Sequence, residues 1–312
     1  LRANIGDCIK VKLTNRLKAG NASLHANNLA FDPLTSQGIN VGNNPGDQTV
    51  APGKSKNYTY YAHPDYNING ALLWDFGNLT TNVRDGLFGG IIIGPRGSVY
   101  RDPDTGKDIS QGNSWKADVI IDKSYPENKH IDNYRDFALY FQDEDNILGT
   151  SFMPYLQNVA GLTGVNYRLE PWLYREDEGC ELGNMFTACV AADKDPATPT
   201  IRAHAGDNVM INVFGAHNEQ NQMFNVDGHQ WRRHLNQEGS DMIDVEEFGG
   251  SEYIQAFFNA GGTYKNPGTY LWMNARTPYQ QAGQWGYLKV LPSGDRGILP
   301  LGKATVKGVK TA

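Results

Sequence analysis

The feature that most constrains the fold of this chain is a set of motifs that occurs twice, about 200 residues apart. The pattern Arg-Ala-x-x-Gly-Asp stands at 2–7 and again at 202–207, and each copy leads into a stretch of alternating apolar residues. Further shared motifs follow in the same order: a Leu-Trp pair at 73–74 and 271–272, and an aromatic-Gly pair at 88–89 and 285–286. Alternation with a period of two predicts half-buried β-strands. A long-range repeat of this kind predicts two copies of one β-domain.

The stretch between the two copies, residues 115–192, has no counterpart in front of Leu1. Alternating patterns at 116–121 and 134–141 predict strands that open the second domain. We therefore expect four parts in the chain. They are a partial first domain at 1–100, a linker at 101–112, a complete second domain at 113–294, and a tail or arm at 295–312.

The first predicted domain lacks its opening strands, and a sandwich without them exposes an apolar edge that folded proteins rarely leave uncovered. We expect the strand at 2–14 to pair with a strand of another molecule, with a missing N-terminal segment, or with the arm at 293–312. A protein partner or a missing N-terminal segment would then complete the first domain, in a homo- or hetero-assembly.

Composition agrees with an all-β fold and excludes two classes of partner. The 35 glycines and 15 prolines supply many turns and interrupt nearly every long helical window, so any helices are expected to be short. A net charge of −6 argues against a nucleic-acid partner. No stretch approaches the roughly 20 apolar residues that a membrane span requires. The predicted class is a pair of antiparallel β-sandwiches.

The three cysteines predict one disulfide and one buried thiol. Cys180 and Cys189 bracket a short loop and could close a disulfide, which would imply an oxidising compartment. Two buried free thiols are the alternative. Cys8 lies in an apolar strand pattern and is expected to be a small core residue.

Several motifs resemble the bacterial multicopper oxidases of the manganese-oxidase type, and more distantly the ceruloplasmin group. They stand at 86–93, 97–107, 137–144, 196–203 and 215–220, and the most specific one, Phe-Asn-Val-Asp-Gly-His-Gln-Trp, at 224–231. The resemblance covers roughly residues 1 to 292. It implies tandem cupredoxin-like antiparallel β-sandwiches, the first lacking its opening strands. It also implies copper-oxidase ancestry and an extracellular or cell-surface location, with the periplasm as an alternative.

The copper ligands that the resemblance implies are mostly replaced in this chain. Copper oxidases bind their metal through paired histidines and a cysteine thiolate, whereas this chain has seven histidines in all. The family's His-x-His positions fall on His25-Ala26-Asn27 and Asp227-Gly228-His229, and its His-Asp-His on Trp74-Asp75-Phe76. Its late histidine falls on Met273 and its axial methionine on Gln284. The vestigial metal candidates are therefore His25, Asp75, Asp227, His229 and Met273.

No cysteine lies at 271–285, where the thiolate would stand, so no bound metal and no catalytic or cofactor-binding residue is expected. We interpret His25 and His229 as hydrogen-bonded histidines near strand ends, with remnants of a copper site as the alternative. His217 is expected to order a polar loop. The acidic residues at 102–108 have the spacing of a calcium loop, but a Pro-Asp-x-Gly turn explains them as well and is favoured.

These observations support three functions, of which the first explains most. It is a non-catalytic, multicopper-oxidase-like protein with a structural or binding role in an extracellular assembly. The second is a segment of an active multicopper oxidase whose copper sites, for metal or phenol oxidation, lie on other domains. The third is a mononuclear metal enzyme that uses His25 and His229.

Overall fold

The alternating residue patterns form strands in the structure. The computed structural model describes residues 1–66, 69–79, 81–110, 113–143, 163–187, 189, 195–216, 220–235 and 237–302. Within these ranges the chain consists mainly of β-strands with a few short helices, which confirms the all-β prediction. No helix in the same ranges is both long and apolar enough to cross a membrane. The predictions for His217 and for the arm beyond residue 302 fall outside the described residues.

The described residues form two compact units. The first consists of Leu1–Val99, Ser110–Ser114 and Ile121–Ile131. The second consists of Tyr100–Ile109, Trp115–Ile120 and the described residues from Asp132 onwards. The boundaries expected at 100, 112 and 294 stay predictions.

The first unit has seven strands in its described part, arranged in two sheets. They are β1 (Arg2–Asn4), β2 (Cys8–Thr14), β3 (His25–Ala26), β4 (Ala30–Phe31), β5 (Ser55–Tyr61), β6 (Gly70–Trp74) and β7 (Phe88–Gly94). The orders are β1-β7-β6-β3 and β2-β5-β4. Short 3-10 helices lie at Pro64–Tyr66 and Pro126–Asn128. A buried cluster that includes Tyr58, Tyr60, Leu73 and Ile91 fills the unit.

The prediction that Cys8 is a core residue is wrong. Residues of β2 alternate between exposed and half-buried, and Cys8 lies in the exposed set as a free thiol. The inward positions of this strand are taken by Ile9, Val11 and Leu13, which pack against the core. Because successive side chains of a strand point to opposite faces, Cys8 must then face outward.

The second unit has a longer series of strands. They are β8 (Val99–Arg101), β9 (Lys116–Ile120), β10 (Tyr134–Gln142), β11 (Gly164–Val165), β12 (Ile201–His204), β13 (Asn208–Gly215), β14 (Gln222–Val226), β15 (Trp231–Arg232), β16 (Met242–Ile243), β17 (Val245–Phe248), β18 (Tyr253–Asn259), β19 (Gly268–Asn274) and β20 (Trp285–Leu291). The α-helices are α1 (Trp172–Asp177) and α2 (Thr277–Gln281), and 3-10 helices lie at Leu182–Asn184 and Gly262–Tyr264.

Two large sheets carry the core of the second unit. Their orders are β18-β13-β10-β9-β8, with β11 beside β10, and β12-β20-β19-β14-β17. The strands predicted to open the second domain, β9 and β10, pair antiparallel, and β10 also pairs parallel with β13. Buried aromatic residues, among them Phe141, Phe224 and Trp272, pack between the strands.

Equivalent strands of the two units are paired in the same way. Arg2 of β1 lies opposite Ile92 in a parallel pair with β7, and Arg202 of β12 lies opposite Lys289 in a parallel pair with β20. The antiparallel pair of β2 and β5 corresponds likewise to the pair of β13 and β18.

Candidate functional site

His229 lies just after β14 in the second unit and is held by hydrogen bonds on both ring nitrogens. It follows a turn at Gly228, whose φ of +71° favours glycine. Nδ1 donates to the Asp227 carbonyl oxygen at 2.8 Å, and Nε2 accepts the Gly261 N–H at 3.0 Å. Burial lowers the pKa of His229, so the ring is neutral, with its proton on Nδ1. Neither nitrogen has a lone pair left for a metal.

The ring of His229 is also fixed by aromatic contacts. Its centroid lies 4.6 Å from that of Phe258 and 4.8 Å from that of Tyr270. Only 2% of the residue is exposed. These contacts and hydrogen bonds agree with the interpretation of His229 as a packed, hydrogen-bonded histidine.

Asp227 lines an open pocket beside His229. The pocket has a volume of about 410 Å³, and polar residues such as Asn225, Asp244 and Lys265 contribute to its wall. Burial raises the pKa of Asp227, the nearby Asp244 carboxylate raises it further, and His229 opposes the shift. The pocket could admit a small polar molecule, since carboxylates and amides line it together with Thr263 and Lys265.

Met273, the other candidate of this unit, lies on β19 opposite Asn225 of β14. Its sulfur contacts the side-chain amide of Gln280, which belongs to α2. The strand pairing therefore brings Met273 near the end of β14, and its sulfur contacts an amide.

Three fully buried amide side chains form a cluster that the sequence reasoning missed. This amide cluster consists of Gln222 at the start of β14, Asn274 at the end of β19 and Gln284 just before β20, each 0% exposed. Asn274 Nδ2 donates to Gln284 Oε1 at 2.6 Å and to Gln222 Oε1 at 3.1 Å. Gln284 Nε2 donates to the Gln142 carbonyl oxygen at 2.6 Å. The cluster thus joins three strand ends through hydrogen bonds.

The amide cluster includes Gln284, the position to which the resemblance assigns the axial methionine. Copper centres of the multicopper-oxidase type require imidazole nitrogens and a thiolate. An amide oxygen such as Gln284 Oε1 can serve only as a weak axial ligand, and it already accepts a hydrogen bond from Asn274. Because Met273 stands where the resemblance assigns a histidine and no cysteine lies at 271–285, these positions do not fit such a centre.

The two candidates of the first unit are likewise engaged in hydrogen bonds. His25 on β3 lies opposite Trp74 of β6, and its Nδ1 donates to the Gln37 carbonyl oxygen at 2.6 Å. Asp75, 5% exposed, accepts the backbone N–H groups of Ser23 at 3.0 Å and Gly77 at 2.7 Å. It also accepts a 2.8 Å hydrogen bond from the Asn82 side chain. Asp75 therefore stabilises the loop after β6 through hydrogen bonds.

The acidic segment at 102–108 has the hydrogen bonds of a turn. Asp102 Oδ1 accepts the backbone N–H groups of Asp104 at 3.1 Å and Thr105 at 2.8 Å, as well as the Thr105 hydroxyl. Asp104 forms ion pairs with Lys116 and Arg202. Among the residues that the structure describes, no group of three or more His, Cys, Asp or Glu is placed to hold a metal ion.

The structure joins Cys180 and Cys189 in a disulfide, with their Cα atoms 5.5 Å apart. Cys180 is buried next to Met185, and Trp172 of α1 and Phe186 pack against the pair. The bond closes a short loop beside α1.

Comparison with known proteins identifies the fold. The sequence matches no protein-family model and no curated protein. Among solved structures, a multicopper oxidase is 14% identical, with a TM-score of 0.58, over 93% of this chain and 76% of that one. A copper nitrite reductase from Nitrosomonas europaea is 12% identical, with a TM-score of 0.59, over 95% of this chain and 84% of that one. A multi-copper oxidase from Pseudomonas Thermotolerans is 16% identical, with a TM-score of 0.58, over 96% of this chain and 58% of that one. The chain therefore has the cupredoxin-like β-sandwich fold of multicopper oxidases and copper nitrite reductases.

Proposed function

We propose that this chain is a non-catalytic protein of the multicopper-oxidase type, with a structural or binding role in an extracellular assembly. The resemblance of its motifs at 86–93 and 224–231 supports the manganese-oxidase type within that group. The fold is that of copper proteins, but three of the positions to which the resemblance assigns copper ligands, Asp75, His229 and Gln284, carry side chains engaged in internal hydrogen bonds.

The amide cluster is the observation that carries this proposal. A metal site that has lost its metal leaves the former ligand atoms without a partner. Such buried, unpaired polar groups lower the stability of the fold. Asn274 and Gln284 instead bond to each other and to neighbouring groups at distances down to 2.6 Å, whereas Gln222 Nε2 is the one amide nitrogen of the cluster without a hydrogen-bond partner among the described residues. Such a network stabilises the ends of three strands without a metal.

Two further observations support the proposal. The neutral ring of His229 has a partner on each nitrogen. The Cys180–Cys189 disulfide suits an oxidising, extracytoplasmic compartment, because such bonds seldom persist in the cytosol.

Oxidase activity tests the proposal. The full chain is incubated with Cu²⁺, passed through a desalting column, and supplied with a phenol, with Fe²⁺ or with Mn²⁺ while oxygen uptake is recorded. We expect uptake equal to that of a protein-free control carried through the same column. Sustained uptake in the protein fraction would overturn the proposal and favour a metal enzyme whose site lies within this chain.

A further inference from the structure

The outer edge of β2 is an open strand edge. In the sheet β2-β5-β4 this strand lies at the end, and among the described residues it pairs only with β5. Ala62 N–H donates to the Asp7 carbonyl, and Asn15 N–H donates to the Lys54 carbonyl, so the odd-numbered residues face β5. Since antiparallel strands alternate in this way, the backbone groups of Lys10, Lys12 and Thr14 point away from β5.

The equivalent strand of the second unit, β13, has its outer edge filled. Its odd-numbered residues face β18, as shown by the hydrogen bonds of Asp207 with Ala260 and of Gly215 with Glu252. On the opposite side β13 pairs parallel with β10 over seven residues, from Val209 to Gly215. The second unit therefore shows what occupies this edge when it is covered.

The inward side chains of β2 are less buried than those of β13. Those of β13 are fully buried, at 0% exposure for Val209, Ile211 and Val213. The matching residues of β2 are Ile9, Val11 and Leu13, and all three are only half-buried. An added strand with apolar inward residues would cover this row, and each covered Å² of apolar surface is worth roughly 25 cal/mol.

The positive charge of the exposed face of β2 favours an acidic strand as its neighbour. The exposed face of β2 carries Lys10 and Lys12. A second copy of this chain, paired antiparallel about Val11, would place Lys10 opposite Lys12, and like charges directly opposite are destabilising. Acidic side chains of an added strand, placed opposite Lys10 and Lys12, would instead form favourable cross-strand pairs.

We propose that β2 is a docking edge for an extended segment of a partner polypeptide that adds as a parallel strand. In this segment apolar residues cover Ile9, Val11 and Leu13, and alternating carboxylates lie opposite Lys10 and Lys12. Main-chain hydrogen bonds hold such a strand, and its side chains give specificity. This inference rests on the proposed binding role and names the chemistry of the partner.

Synthetic peptides test the docking edge on the full chain. One peptide alternates valine with glutamate, and its control alternates valine with lysine. Binding is measured by fluorescence anisotropy, and amide hydrogen exchange of residues 8–14 is followed by NMR. We expect the acidic peptide to bind and to slow exchange of the Lys10, Lys12 and Thr14 amides by about tenfold or more, because these groups gain hydrogen-bond partners.

Charge reversal gives the matched control. The double variant Lys10→Glu/Lys12→Glu should no longer bind the acidic peptide and should bind the lysine peptide instead. Lys18→Glu/Lys54→Glu makes the same charge change at exposed residues outside β2 and should behave as the parent chain. Equal binding of the acidic peptide by both double variants, or binding without protection of the β2 amides, would overturn the proposal.

Other occupants give distinct results that also contradict it. A dimer of the chain alone, with the β2 amides already protected, would assign the edge to a second copy. Protection in a longer polypeptide that includes residues before Leu1 would assign it to the same chain. The proposal that the chain is non-catalytic is judged separately, because oxygen uptake involves no residue of β2, so the failure of one proposal can be told apart from the failure of the other.

Discussion

Replacing Gln284 by methionine, the residue that the copper-oxidase resemblance assigns to this position, should destabilise the second unit. Methionine is close to glutamine in length and fills the same space, so the substitution mainly removes the polar amide. In the structure that amide donates to the Gln142 carbonyl at 2.6 Å and accepts from Asn274 at 2.6 Å. A longer contact, 3.4 Å, joins it to the Gly164 carbonyl.

The magnitude follows from the groups that lose their partner. The Gln142 carbonyl keeps no side-chain donor, and Asn274 Nδ2 keeps only its 3.1 Å bond to Gln222. Leaving one buried polar group unsatisfied costs about 1–3 kcal/mol. The two groups are the Gln142 carbonyl and the N–H of Asn274 that pointed at Gln284, and together they give an expected loss of about 2–6 kcal/mol. The greater hydrophobicity of methionine reduces this loss by about 1 kcal/mol.

Urea unfolding followed by tryptophan fluorescence measures this loss. Five of the six tryptophans, all except Trp74, lie in the second unit, so the signal reports mainly on that unit. The control variant Gln237→Met makes the same chemical change at an exposed loop position and should stay within about 0.5 kcal/mol of the parent. A Gln284→Met variant as stable as this control would refute the claim that the amide cluster stabilises the fold.

Three further predictions concern charge and sulfur. Burial raises the pKa of Asp118 to about 7 against the pull of Arg135, so the folded state holds its proton more tightly than the unfolded state. The free energy of unfolding should therefore fall by at most about 4 kcal/mol as the pH rises from about 4 to about 7. In urea titrations, this pH dependence should be weaker for Asp118→Asn than for the parent chain. Replacing Cys180 and Cys189 together by alanine should lower the free energy of unfolding by about 3 kcal/mol, from the loop-closure entropy, and an unchanged value would contradict this. Cys8 should react with a maleimide in the folded protein, as seen by mass spectrometry, and labelling only after unfolding would contradict its exposure.

The strands and the class of fold could be predicted from the sequence because they depend on local alternation. The period-two patterns at 116–121 and 134–141 correspond to β9 and β10 within a residue at their ends. The pattern around Cys8 was equally clear and already indicated its exposure, because Cys8 shares its phase with Lys10 and Lys12 while the apolar residues of β2 take the other phase.

The candidate site was predictable in part. The sequence showed which ligand types are missing at Asp227, Met273 and Gln284. It did not show that Gln222, Asn274 and Gln284 meet, because their contact requires three strand ends to converge across up to 62 residues of chain. The available signal was polar amides at the ends of otherwise apolar strands, which often marks buried hydrogen-bond networks.

Copper content of the purified chain tests most directly the claim that the fold is kept without its metal. The protein is loaded with excess Cu²⁺, dialysed, and analysed for metal and for visible absorbance. We expect copper well below one equivalent per chain and no blue band, because no thiolate stands beside paired imidazoles among the residues that the structure describes. About one tightly held copper per chain, lost in the His229→Ala variant, would contradict it.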